Sequence, residues 1–237
     1  MSDYSPETFF DGRGLELARA INRGDVKEVS VKANGLDLNQ AYRQKMTFLF
    51  FSLVCNQLKV AAELIKLGAS PYVVSPGFGS PLDFAVRANE DDMLRAMLDA
   101  GVSPNATNSW GTPLLFTAAC KDSTKTMELL VDRGADLNVK DTNLGRTALF
   151  EAFSKLCYDQ TEYLITHGAK VDISLLNGVT FAYSLQKRLG QQKIGTAGYE
   201  KLNEIKKLVE ARGVKFPADP PPVVRSQLKA QGLRVAE

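Results

Sequence analysis

His167 is the only histidine in the 237 residues, and Cys55, Cys120 and Cys157 are the only thiols. A Ser-His-Asp or Cys-His machine needs that one imidazole beside a nucleophile. His167 instead stands directly before Gly168, where an imidazole closes a helix and meets its dipole. Structural zinc takes four Cys or His ligands, and three scattered thiols with one imidazole do not form such a set. An odd thiol count also argues against a disulfide framework. Cys55 and Cys120 each lie eight residues after a recurring threonine (Thr47, Thr112), so both read as small buried core residues. Gly77-Phe78-Gly79 precedes a helix but has no strand before it and no Lys-Ser/Thr after it, as a phosphate cradle requires. Asp91-Asp92 reads as an acidic helix start. Arg23-Gly24-Asp25 spells an adhesion tripeptide and equally fills a helix–helix turn, the reading preferred here. Asn105-Ala106-Thr107 matches a glycosylation acceptor by spelling alone. No catalytic residue, cofactor site or metal site is expected, and the chain is not expected to be an enzyme.

Composition points the same way. Apolar residues make up 44% of the chain and the formal charge is +2, which suits a protein with a real core and no general affinity for nucleic acid. Residues 1–186 hold 18 Lys/Arg against 22 Asp/Glu, whereas residues 187–215 hold eight against three. The basic segment alternates lysines with Glu200, Glu204 and Glu210, the pattern of a solvated helix face. The apolar run at residues 46–55 is about half of the ~20 residues a spanning helix needs, so no transmembrane segment is expected. The opening lacks a basic stretch followed by an apolar one, so it shows no signal peptide. A chain whose leader had been removed would read the same, and a periplasmic or a cytoplasmic home fits.

The elements that carry these residues repeat. Gly35, Gly68, Gly101, Gly134 and Gly168 recur every 33 or 34 residues, and Thr47, Ser80, Thr112, Thr147 and Thr180 keep step with them. A Ser/Thr before an apolar run caps a helix N-terminus, and Pro81 and Pro113 suit the first helical position. The glycine ends a helix in the left-handed conformation. Between the markers the sequence predicts two short helices, the second amphipathic through Val60, Ala61, Leu64 and Ile65 and their equivalents. From each glycine to the next Ser/Thr it predicts an extended turn.

Ser80-Pro81-Leu82-Asp83-Phe84-Ala85 and Thr112-Pro113-Leu114-Leu115-Phe116-Thr117 resemble the ankyrin repeat opening, T-P-L-H-x-A. Leu129-Leu130-Val131-Asp132-Arg133-Gly134-Ala135-Asp136-Leu137-Asn138 resembles its close. The units at Thr47 and Thr147 lack the proline, and no unit has the family's histidine. The resemblance implies an all-α ankyrin-repeat solenoid of about six repeats: an N-terminal extension at 1–14, a capping repeat at 15–38, inner repeats at 39–74, 75–107, 108–140 and 141–174, and a last repeat at 175–216 with an insertion at 190–198. Residues 217–237 read as a Pro-rich linker and short tail.

In such repeats partners lie on a concave face formed by the turns and first helices, as the resemblance implies. Apolar residues at turn tips do not hold the fold, so Phe78, Trp110, Leu144 with Arg146, and Leu175 with Leu176 are candidate protein contacts. Arg87, Lys121, Lys155 and Tyr158 are candidates for a polar rim. The bland alternative packs Trp110 and Leu144 between neighbouring turns. The opening Ser5-Pro6-Glu7-Thr8-Phe9-Phe10-Asp11-Gly12, with residues 15–21 and Lys45-Met46-Thr47-Phe48-Leu49-Phe50-Phe51, is similar to bacterial ankyrin proteins encoded beside secreted antibacterial lipases. That likeness implies an immunity protein of type VI secretion that binds one effector enzyme in a 1:1 complex and is monomeric alone. A general scaffold or regulatory adaptor is the alternative.

Overall fold

The computed structural model describes residues 4–75, 79–87, 91–119 and 124–236. Phe78, Lys121 and Cys120 lie outside the described residues. Among those described there are helices and isolated bridges but no strand. Two compact units form, residues 4–114 with 128–134 and residues 115–127 with 135–236. The first holds α1 (Pro6–Phe9), α2 (Gly12–Arg23), α3 (Val26–Lys32), α4 (Phe48–Val54), α5 (Leu58–Lys66), α6 (Pro81–Arg87) and α7 (Asp91–Asp99). Then α8 (Leu114–Ala118) and α9 (Lys125–Asp132) each contribute to both units. The second unit holds α10 (Ala148–Ser154), α11 (Tyr158–Thr166), α12 (Phe181–Leu189), α13 (Ala197–Ala211) and α14 (Pro221–Ala230).

The recurring residues act locally as their types require. The Thr47 hydroxyl accepts from the Phe50 amide (3.2 Å) and that of Thr180 from Tyr183 (3.0 Å). Ser80 and Asp83 cap reciprocally: the Ser80 amide donates to Asp83 Oδ2 (2.7 Å) and the Asp83 amide to Ser80 Oγ (3.1 Å). Thr147 takes the same extended backbone, yet its buried hydroxyl has no partner. Gly68, Gly101 and Gly168 all sit near φ +102°. That left-handed turn lets Ala69, Val102 and Ala169 donate back to Leu64, Met97 and Leu164, at 2.8, 3.0 and 2.9 Å. Asp25 caps Glu28 and Gly24 is left-handed, so Arg23-Gly24-Asp25 is the turn between α2 and α3.

Within each unit, buried leucines hold the helix pairs together. Leu49, Leu82, Leu114 and Leu149 of the first helices are at most 1% exposed, as are Leu64, Leu94, Leu130 and Leu164 of the second. Each contributes about 1.5–3 kcal/mol of burial. Asparagine side chains tie one turn to the next. Asn39 Oδ1 accepts from the Ser70 amide (2.7 Å), and Asn138 Oδ1 from that of Lys170 (2.8 Å).

Both ends differ from the sequence reading. Residues 1–14 are more than an extension: Phe9 and Phe10 are buried. The Phe10 ring stacks on Phe48 at 5.0 Å and meets Phe51 edge-on at 5.1 Å and Tyr42 at 5.0 Å. A four-residue helix cannot hold itself in water, and this apolar contact holds it. Within the stretch 190–198, Thr196 caps α13 through the Tyr199 amide, and the helix then runs 15 residues. The Pro-rich stretch is a helix start rather than a linker. Pro221 and Pro222 occupy the first turn of α14, where a missing N–H breaks no helical bond.

In the second unit that helix is docked. Val224 is buried. A Cβ on Gly178 (φ +81°) would lie 2.4 Å from the Pro221 carbonyl oxygen and 2.6 Å from Arg225 Cγ, so α14 and Gly178 need each other's absence of bulk. Beyond α14, the Ala236 amide donates to the Leu176 carbonyl at 2.8 Å.

Candidate protein-binding surface

Three turn tips are closed by isolated antiparallel bridges, Ser75 with Gly79, Thr107 with Pro113, and Ser174 with Thr180. The best-defined tip in the first unit presents Trp110. Asn108 Oδ1 accepts from the Trp110 amide (3.0 Å) and the Thr112 amide (2.9 Å), and the Asn108 amide donates to the Thr112 carbonyl (2.8 Å). The backbone is therefore fixed while the indole is 69% exposed. An ordered turn that holds a large aromatic in water is pre-organised for contact, since little further ordering accompanies binding. Arg87, at the end of α6 in the same unit, is exposed and donates from Nε to the Asp83 carbonyl at 3.4 Å.

Asp83 supports the Trp110 turn. Its Oδ1 accepts from the Ser109 amide at 3.1 Å while its Oδ2 caps Ser80. Burial pushes the carboxyl up, but the hydrogen bonds from Ser109 and Ser80 outweigh it and hold Asp83 below the ordinary carboxylate value.

In the second unit, Asp141 does what Asn108 does in the first. Its Oδ1 accepts from the amides of Leu144 (2.9 Å), Gly145 (2.8 Å) and Arg146 (3.1 Å). Arg146 pairs with two carboxylates while its side chain stays 37% exposed: Nε donates to Asp141 Oδ2 at 2.8 Å and Nη1 to Glu151 Oε2 at 2.9 Å. Burial raises the Asp141 carboxyl, and hydrogen bonds from the Arg146 side chain and from the Leu144 and Arg146 amides more than reverse that. Leu144 is 38% exposed. Its carbonyl accepts from the Leu176 amide at 2.9 Å, and Leu176 packs against Gly145, with Cγ 3.6 Å from where a Cβ would stand. Leu175 and Leu176 are half-buried. Leu144 and Leu176 are therefore joined turn to turn through the backbone, while the Leu144 side chain stays exposed.

Lys155 caps α10 and is exposed, and Tyr158, the first residue of α11, is half-buried against Phe153 with ring centres 6.0 Å apart. Tyr158, Phe153 and Arg188 meet in one cluster. Arg188 Nη1 donates to the Phe153 carbonyl (3.2 Å) and reaches the Tyr158 hydroxyl (3.5 Å), with the guanidinium 4.8 Å over the Phe153 ring. Sequence reasoning missed Asn108, Asp141 and Arg188. The first two carry a legible signal, since they stand 33 residues apart in the repeat register.

His167 closes α11, with Nδ1 2.8 Å from the Tyr163 carbonyl and its ring stacked on Tyr163. Cys55 is half-buried rather than fully buried, and burial pushes its thiol up to about 11, away from the reactive thiolate. Among the described residues no group of His, Cys, Asp and Glu could hold a metal ion, and no helix is long and apolar enough to cross a membrane.

Residues 82–174 match the family model described as Ankyrin repeats (3 copies). Those residues are ankyrin repeats, and the fold of the chain is that of an ankyrin-repeat domain. It is 25% identical over 157 residues to the B-cell lymphoma 3 protein homolog of Mus musculus, an alignment covering 65% of this chain and 35% of that protein. It is 30% identical over 142 residues to Protein PhlB of Serratia liquefaciens, covering 59% of this chain and 62% of PhlB. The chain thus spans between about a third and just under two thirds of these curated relatives. The crystal structure of the ankyrin repeat domain of Bcl-3 superposes with a TM-score of 0.67 at 22% identity, covering 90% of this chain and 97% of that one. That likeness is one of fold: all-α, built of ankyrin repeats. Such a fold is typically a non-enzymatic module for protein–protein interaction.

Proposed function

We propose that this ankyrin-repeat protein binds one partner enzyme in a 1:1 complex and inhibits it, as an immunity protein inhibits a secreted lipase effector. The observation that carries the binding reading is Trp110, 69% exposed on a turn whose backbone Asn108 fixes. Tryptophan is the side chain most enriched among residues that dominate interfaces. The inhibitory role rests on the likeness of residues 5–12, 15–21 and 45–51 to bacterial immunity proteins, together with a bacterial relative, PhlB, at 30% identity. In the first unit those segments meet through Phe10, Phe48 and Phe51, so they mark kinship in how the fold begins rather than residues that touch a partner.

The test is capture of the partner from the protein's own organism on immobilised wild type and Trp110→Ala, followed by titration of the captured enzyme's lipase activity. One stoichiometric lipase that is silenced by wild type, and held more weakly by Trp110→Ala, is the expected result. Several substoichiometric proteins without loss of any activity would replace the inhibitor with a general adaptor. Capture unchanged by Trp110→Ala would remove that turn from the interface.

A further inference from the structure

Within the second unit the carboxylates and cations are distributed unevenly. Every carboxylate of α10 and α11 is held by a cation from elsewhere: Glu151 by Arg146 at 2.9 Å, Asp159 by Lys201 at 2.9 Å and Glu162 by Lys201 at 2.6 Å. From Ile173 to Tyr199 the chain has no Asp or Glu at all, while Lys187, Arg188 and Lys193 lie within that stretch. Arg188 is fixed by a carbonyl, a phenol and an aromatic face, none of which neutralises it. Lys187 and Lys155 are exposed and make no ion pair among the described residues. Two of the three lysines of α13 are spent differently, Lys201 on Asp159 and Glu162, and Lys206 on Glu210 at 3.2 Å and on the Phe216 ring at 5.1 Å.

The unneutralised charge borders a cleft. Val179, Tyr183, Ser184, Lys187, Arg188 and Gln191 line a cavity of about 340 Å³ on the exposed side of α12. Arg188 connects it to the α10–α11 turn that carries Lys155, because the same guanidinium touches Phe153 and Tyr158 on either side of that turn. We infer that this cleft, with Lys155, Lys187 and Arg188 around it, is a docking site for an acidic segment of a protein partner. A side chain of that segment would enter beside Val179 and Tyr183 while its carboxylates meet the cations.

This inference rests on the protein-binding reading above and adds the partner's chemistry to it. Charge complementarity selects the occupant: a cationic rim favours an anionic partner and penalises a basic one. A protein segment suits the geometry better than nucleic acid. Nucleic acid is held by a groove that tracks several phosphates, with bases stacked on exposed aromatics. Here two cations line one cleft and a third stands on the adjoining α10–α11 turn, and both tyrosines are half-buried.

The probe is a fluorescein-labelled nonapeptide repeating Glu-Glu-Leu, with its Gln-Gln-Leu counterpart, followed by fluorescence anisotropy on the full chain. The test variant is Lys155→Glu/Lys187→Glu, two exposed side chains whose loss removes no ion pair among the described residues. The control is Lys66→Glu/Lys170→Glu, the same charge change at exposed positions elsewhere. Circular dichroism confirms that both fold. Wild type and control bind the acidic peptide in preference to the neutral one. The test variant binds it about tenfold or more weakly, and wild-type binding falls as salt rises.

Equal loss in test and control variants, or no preference for the acidic peptide, overturns the site. A thymidine oligonucleotide that displaces the peptide from the same lysines assigns the cleft to nucleic acid and overturns it as well. The two readings fail separately. Partner capture that survives Lys155→Glu/Lys187→Glu leaves the interaction module standing without this cleft. Peptide binding at the cleft without any captured enzyme leaves the cleft standing without the inhibitor.

Discussion

At the N-terminal end of the chain, Phe9, Phe10, Tyr42, Phe48 and Phe51 bring rings together at 5.0–6.4 Å, and the two leading phenylalanines are almost wholly out of water. At the C-terminal end, α13 and α14 are joined to their repeat by the Lys201 pairs, by Arg212 donating to the Ile165 carbonyl, by Ala218 donating to Gln186 and by Ala236 donating to Leu176. The first end is closed by non-directional burial, worth roughly 25 cal/mol per Å² of apolar surface. The second buries Leu202, Ile205 and Val209 of α13, but its last helix, α14, buries Val224 alone and is closed largely by bonds that water can replace at small net cost. The N-terminal closure therefore belongs to the stable part of its unit, and the C-terminal one opens at lower free energy.

The largest expected effect falls at the aromatic end. Phe10→Ala lowers the stability of its unit by about 3–5 kcal/mol, read as an earlier urea midpoint. A loss under about 1 kcal/mol would remove the contrast between the two ends. At the other end, Gly178→Ala combines a left-handed backbone penalty of about 1–2 kcal/mol with a collision against Pro221 and Arg225. Gly195→Ala, at the same φ of +81° with open space around it, carries the backbone penalty alone. Hydrogen exchange of residues 221–236 should rise strongly in the first and stay unchanged in the second. Equal exchange would mean that α14 does not depend on Gly178.

A smaller difference separates two recurring threonines. Thr47→Val removes a working cap and costs about 1 kcal/mol. Thr147→Val removes a buried hydroxyl that bonds nothing, and leaves stability unchanged or raises it by up to about 1 kcal/mol. Thermal denaturation of the two single variants decides it, and equal losses would show that Thr147 is bonded in solution.

The smallest effect is on pH dependence. Asp83 and Asp141 sit below the ordinary carboxylate value in the folded protein. Their stabilisation is complete above the unfolded pKa of about 4 and is lost as pH falls through the lower folded values. Asp83→Asn should flatten the fall in stability below about pH 4 while leaving the slope between pH 5 and 8 unchanged. A steeper acid limb in the variant would contradict the sign.

What the sequence disclosed follows the same division between local and distant causes. A cap or a left-handed glycine acts within five residues, so Thr47, Ser80, Thr180 and the 33-residue glycines could be read directly. The stacking of Phe10 on Phe48 joins positions 38 residues apart in the chain, and no periodicity announces it. Pro220-Pro221-Pro222 looked like a linker because proline breaks helices. Here it starts one, and the Val224–Leu228 spacing was the available signal. Trp110 was legible as a tip residue because a lone tryptophan between Asn108 and Gly111 has no core to fill. Arg146 was legible as a tip residue from its place in the turn, but its pairing with both Asp141 and Glu151 was not, because no periodicity marks an ion pair.

One backbone contact has a consequence for self-association. In the second unit each turn hands a carbonyl to the one after it: Leu144 accepts from Leu176, and Leu176 accepts in turn from Ala236. A free carbonyl at that position is where a neighbouring copy could continue the series, since repeat geometry alone sets no limit on length, and head-to-tail contacts of that kind grow into filaments. Here the acceptor is already taken from within the chain. The segment after Phe216 thereby occupies the Leu176 carbonyl that such a contact would use.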